Sequence, residues 1–160
     1  MIDIIGFDYQ GKEKFGFSRF YHFNDFKIVI GGDDNKNRKA VENKNVDILL
    51  SPEKIRKDDF MHSRNSGLNQ VLCKLAKKNI VAIGFNFRDV LKSKNRSLII
   101  GKMMQNVALC HKYKVQMVVI SGAKDESELK SAMDLFSFAQ VIGMTPGEAK
   151  KALNFEKRKD

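Results

Sequence analysis

Apolar residues along the chain fall into short, nearly continuous runs, separated by stretches with three- and four-residue spacing. Residues 2–7 read as a strand. "KIVIG", "VDILL", "NIVAIGF", "VQMVVI" and "AQVIGM" follow, each rich in Val or Ile and apolar at almost every position. Such runs suit strands buried on both faces of a parallel sheet. Residues 15–23, "FGFSRFYHF", are aromatic-rich and fit either a strand or a loop that faces a partner.

Helical patterns lie between these runs. Residues 33–43 are polar and weakly periodic. Residues 66–78 carry Leu68, Val71, Leu72, Leu75 and Ala76 on one face, with Ser66 or Asn65 as the cap. Residues 97–112 place Leu98, Ile99, Met103, Val107 and Cys110 on a stripe, and residues 125–138 begin with acidic residues, as a helix N-terminus prefers. In "TPGEAKKAL", Thr145 caps, Pro146 takes the first helical position and Glu148 completes a capping box.

Strand and helix therefore alternate, which implies right-handed crossovers and a parallel sheet. An open doubly wound sheet and a (β/α) barrel both satisfy this order. A full eightfold barrel typically takes about 250 residues, so a barrel of 160 residues would be abbreviated. The chain contains no internal repeat, low-complexity segment or linker. Residues 1–160 are predicted to form one domain, with the charged tail frayed from about residue 154.

Composition narrows the partner. The apolar fraction is 42% and the charged fraction 30%, which fits a globular chain rather than a disordered one. Lys and Arg number 29 against 19 acidic residues, a net charge of +10 that favours an anionic partner, most simply nucleic acid. Cys73 and Cys110 both lie in apolar-periodic stretches and read as buried free thiols, in keeping with a reducing cytoplasm. The N-terminus lacks the pattern of a signal peptide, and no apolar run approaches the roughly 20 residues that span a bilayer.

Candidate catalysts are weak. His22, His62 and His111 have no partner at a familiar metal-ligand spacing. Cys73 sits on an apolar helix face, where packing explains it. Ser51-Pro52 and Ser121-Gly122 follow strands at the edge where α/β proteins place their sites, but they serve equally as turn and cap residues. Neither a phosphate-binding glycine loop nor a nucleophile elbow occurs.

What remains is the distribution of cations. Arg56, Lys57 and Arg64 follow "VDILL", Arg88, Lys92, Lys94 and Arg96 follow "NIVAIGF", and Lys124 follows "VQMVVI". All are predicted to leave the C-terminal edge of the sheet. Residues 88–114 hold seven basic residues and one acid, Asp89. Cations converging on one rim suit phosphate-backbone binding. Asp58, Asp59 and Asp89 either orient these cations or cap the following segments. The plainer reading is that Lys74, Lys77, Lys78, Lys102 and Lys112 solvate outer helix faces.

One long series of motifs carries a resemblance. "VDILLSP", "RKD", "SGLNQVLCKLA", "VAIGFNFRDVL", "KYKV", "VISGA" and "VIGMTPGEAKKAL" span most of residues 27–153. In this the chain resembles the archaeal ribonuclease P proteins related to the eukaryotic 30-kilodalton subunit. The resemblance implies a TIM-barrel-like (β/α) fold, here shortened at its N-terminus. It also implies a non-catalytic subunit of the ribonucleoprotein that removes the 5′ leader from precursor tRNA. The chemistry would lie with the RNA subunit and Mg²⁺, with no cofactor on this chain. Partners implied are the ribonuclease P RNA, precursor tRNA indirectly, a second small RRM-like subunit and other ribonuclease P proteins, with no membrane.

Carried over by motif, Arg38 takes the basic position ahead of the "VD" strand and Asp47 the acidic one within it. Arg56, Lys57 and Asp58 match "RKD", Lys112 matches the basic residue of "KYKV", and Lys130 matches a basic residue after the "SGA" turn. With the rim residues and His62 these are the expected RNA contacts, and Asp47, Asp58, Asn69 and Gln70 are the expected supports. Gln70 departs from the family, where many members read "G-[IL]-D-H-V-L" against "GLNQVL" here, so no histidine role transfers. Family members usually have one or two further βα units ahead of "KIVIG", which about 26 residues precede here. Either the barrel is incomplete or residues 2–23 supply substitute strands. Two readings of another class stand beside this one: a stand-alone TIM-barrel hydrolase of a phosphorylated small molecule, and a protein scaffold using residues 15–23 as its interface.

Overall fold

Strand-forming runs and capped helices alternate as the pattern requires. The computed structural model describes residues 1–11, 14–55 and 58–156. Its strands are β1 Ile2–Ile5, β2 Arg19–His22, β3 Ile28–Ile30, β4 Ile48–Leu50, β5 Ala82–Asn86 and β6 Met117–Ile120. Its helices are α1 Asp34–Glu42, α2 Gln70–Asn79, α3 Phe87–Lys92, α4 Arg96–Tyr113, α5 Ala132–Val141 and α6 Pro146–Ala152, with short 3₁₀ turns at Phe23–Asp25 and Glu126–Glu128.

Every strand pair is parallel. One ladder runs β3-β4-β5-β6 and a second joins β1 to β2. β1 stands against β6: Gly6 N donates to Ala123 O at 2.7 Å, and Ser121 N donates to the buried Asp3 carboxylate at 2.7 Å. The strands thus follow a barrel-like course in chain order. Residues 2–23 do supply two strands, which answers the question left by the short N-terminal stretch.

The twofold period of the strands separates two cores. Ile4, Ile48, Leu50, Ala82, Val118 and Ile120 form an inner cluster with Phe26 and Phe155. Leu49, Ile83, Phe85 and Val119 belong to the outer cluster with Leu72, Cys73 and Ala76 of α2, Met103 and Val107 of α4, and Leu135 and Phe138 of α5. Each fully buried Leu, Ile or Phe contributes about 1.5–3 kcal/mol by leaving water. Of the tail expected to fray from about residue 154, Phe155 is packed, and residues 157–160 lie outside the described residues. The Phe155 ring is buried 5.6 Å from the ring of Phe26 and joins the inner cluster.

Several element assignments change. The helix expected over 66–78 starts at Gln70, and its cap is Asn69, whose side chain accepts from Leu72 N at 3.0 Å. Gly67 stops an earlier start, since its φ of +81° is left-handed and a Cβ there would collide with the Pro52 carbonyl. "AQVIGM" is not a strand: Leu135, Phe138, Ala139 and Ile142 recur at helical spacing, and α5 runs to Val141. The acidic stretch at 125 forms only the Glu126–Glu128 turn, and α5 begins after a Ser131–Asp134 capping box. α3 was not anticipated, and Asn86 caps it. The aromatic run 15–23 is largely folded inward: Phe17 is buried, and Phe20 and Tyr21 pack against the clusters. Phe17 is thus core, while residues 20–23 are half-buried.

Candidate nucleic-acid interface

β4, β5 and β6 deliver their exits to one edge, where parallel barrels gather functional groups. After β4, the chain turns at Ser51, whose hydroxyl donates to Asp89 Oδ2 at 2.6 Å, while Lys54 Nζ lies 3.4 Å from Asp89 Oδ1. After β5, Asn86 Oδ1 accepts from Arg88 N at 3.0 Å and so fixes the start of α3. Arg88 Nε donates to Glu128 Oε2 at 2.6 Å, and Lys92 Nζ lies 2.8 Å from Glu128 Oε1. After β6, Gly122 takes a left-handed φ of +62° beside Asn86, and Lys124 N donates to Glu128 Oε2 at 3.1 Å. One carboxylate thereby gathers basic residues from two βα loops. Arg88 first, then Lys92, hold Glu128 down at about 2, so it stays ionised across the physiological range.

Beside this cluster a cavity of about 280 Å³ opens at the barrel mouth. It is lined by the apolar residues Phe23, Phe26, Ile28, Ile30 and Leu50, and by Asn24, Lys54, Asn86, Arg88, Asp89, Gly122 and Lys124.

The expected contacts divide. Arg88, Lys92 and Lys124 come together at the mouth, and Lys130 lies half-buried just beyond the Glu126–Glu128 turn. Lys94 and Arg96 are exposed at the α3–α4 turn, where Arg96 Nη2 donates to Leu91 O at 3.3 Å. Arg64 turns away onto α4: Gln105 bonds its backbone on both sides (3.1 and 2.8 Å), and its Nη1 lies 3.5 Å from Asp59 Oδ2. His62 and Asp58 are exposed on the same loop. Arg56 and Lys57 lie outside the described residues.

Arg38 is not at the mouth, being exposed on α1 and paired with Glu42 at 2.8 Å. Lys112 is at the opposite edge, in the last turn of α4, with its ammonium 5.6 Å from the Tyr113 ring centre. Asp47 acts within the fold, accepting from Lys27 N at 2.8 Å. Asn69 is the cap of α2, and Gln70 is its exposed first residue.

Four residues take roles that the sequence pattern does not assign to them. Lys54 reaches the mouth, and Glu128 organises it from 40 positions beyond Arg88. Lys102 is not a solvating lysine but is 1% exposed, with Nζ 3.7 Å from Asp59 Oδ1. Glu53 is 2% exposed, and burial pushes its carboxyl up to about 8, although Asn106 Nδ2 donates to it at 3.1 Å. Among the described residues, no group of three His, Cys, Asp or Glu is arranged to hold a metal ion. No helix among them is long and apolar enough to cross a membrane.

Fold and edge together define a TIM-barrel-like α/β protein of parallel strands with a cationic mouth. The profile of the RNase P subunit p30 family matches residues 10–159, and the chain belongs to that family. It is 38% identical over 138 residues to Ribonuclease P protein component 3 of Methanosarcina acetivorans, covering 85% of this chain and 54% of that protein. The same-named protein of Methanococcus maripaludis is 39% identical over 120 residues, 74% of this chain and 49% of that one. A chain in the cryo-EM structure of archaeal Ribonuclease P with mature tRNA superposes with a TM-score of 0.69 at 32% identity, over 79% of this chain and 52% of that chain. The chain thus spans about half the length of these relatives.

Proposed function

We propose that the chain acts as a non-catalytic protein subunit of ribonuclease P, binding and positioning the RNA that cleaves the 5′ leader of precursor tRNA. The convergence of Lys54, Arg88, Lys92 and Lys124 at the barrel mouth carries this reading, and kinship with ribonuclease P proteins supports it. Arg88 and Lys92, held by Glu128, and Lys54, held by Asp89, are partly ordered in advance, which lowers the entropic cost of meeting phosphates. In this reading Mg²⁺ belongs with the RNA. A second small RRM-like subunit and other ribonuclease P proteins complete the assembly, and precursor tRNA is met through the RNA. A cytoplasmic setting accords with two buried free thiols.

Reconstitution with the RNA and partner subunits tests it. Lys92→Ala and Lys54→Ala should each weaken RNA binding and reduce the salt slope by about one. If both variants keep the wild-type slope and processing rate, these cations play no part in RNA binding.

A further inference from the structure

The mouth cavity combines aromatic and cationic lining residues. Phe26 is locked edge-on against Tyr21, with centroids 5.3 Å apart, and touches Phe155 behind it. Phe23 follows directly after β2 and packs beside Gly6. Phe26 is thus held in place by Tyr21 and Phe155 before any ligand arrives. In the same lining, Lys54, Arg88 and Lys124 supply positive charge beside the acid Asp89. The Nε bond to Glu128 sets the plane of the Arg88 guanidinium. Asn24 and Asn86 add amide groups able to donate and accept.

The volume of about 280 Å³ lies just below the roughly 300–1,000 Å³ of small-ligand sites. That is too narrow for a duplex. Ring faces combined with cations are the means by which proteins hold unpaired nucleotides, which stack on aromatic side chains while their phosphates meet Lys and Arg. We propose that the barrel mouth takes one unstacked ribonucleotide, its base against Phe23 and Phe26 and its phosphate on Lys54, Arg88 and Lys124. This rests on the RNA-binding reading and narrows it, since the mouth then recognises a flipped-out or single-stranded nucleotide rather than helical backbone alone.

The test uses the full chain with three probes: uridine monophosphate, a single-stranded uridine pentamer and ribonuclease P RNA. Ile30→Trp should fill the cavity from its rim, where Ile30 is 47% exposed and the larger ring is tolerated. Lys124→Glu, at an exposed position, should repel the phosphate. Both should weaken pentamer binding about tenfold or more, the range of one stacked base or one charge contact. Lys112→Ala, at the opposite edge, should change it less than about twofold.

Pentamer binding much tighter than that of the mononucleotide assigns the site to a strand. Equal binding assigns it to a free nucleotide, with the same chemistry. If the wild-type chain binds the pentamer and both mouth variants bind it equally well, the proposal is overturned. A wild-type chain that binds ribonuclease P RNA but neither small probe overturns the pocket and leaves the subunit reading standing. One that binds none of the three overturns both.

Discussion

Glu53 shows how a single side chain can couple this fold to pH. It lies behind the exit of β4, buried, with Asn106 as its amide partner. Desolvation, with the negative charge of Asp89 adding to it, raises its carboxyl from an ordinary value near 4.5 to about 8. The folded chain therefore holds a proton that the unfolded chain releases between about pH 4.5 and 8. Stability from this group is complete below about 4.5 and declines as pH rises towards about 8. Glu53→Gln keeps the shape without the titration. Urea unfolding at acidic and mildly alkaline pH should show a smaller loss of stability in the variant, and an identical pH profile would deny Glu53 that role. Glu128 works in the opposite sense: its lowered carboxyl stabilises above about 4.5, and that contribution is lost as pH falls through about 2.

Between strand and helix, local chemistry decides where each element begins. The pattern points to Ser66 or Asn65 as the cap of α2, and backbone geometry rules both out. Gly67 must adopt a left-handed turn, so the helix waits for Asn69. Asn69→Ala should cost about 1 kcal/mol through the lost cap, read as a lower midpoint in denaturant. Ser66→Ala removes no cap, although it removes the hydroxyl that Gln105 Nε2 reaches at 3.1 Å. The strands β3 to β6 are legible because their runs are long in Val and Ile. "AQVIGM" misleads because a short apolar run carries no period of its own, and only Leu135 and Phe138 upstream reveal the helical face. α3 hides because "FRDVLK" is a six-residue helix whose main signal is the Asn86 cap.

Across the whole molecule, order along the chain foretold a parallel α/β architecture but not how its cations would meet. The exits of β5 and β6 brought Arg88, Lys92 and Lys124 to one edge, which the strand order alone predicts. Their shared carboxylate could not be foreseen, since Glu128 joins them only after β6 and its loop have folded back. Arg38 and Lys112 carry the same charge and are both matched by motif, yet α1 and α4 carry them away from the mouth. Motif matching finds residue types; the course of the helices decides which of them can touch one ligand.

The break between the two ladders has a consequence for motion. β2 and β3 share no hydrogen-bonded register, and the five residues between them include the Phe23–Asp25 turn. A continuous ring of strands would have to melt together; here the structure is divided into two leaves, β1–β2 and β3–β6. Amide hydrogen exchange should therefore resolve two protection classes, with β1–β2 exchanging sooner than β5 at the centre of the larger leaf. Uniform protection across all six strands would mean that Asp3, Gly6 and the Phe26–Phe155 contact weld the leaves into one cooperative unit.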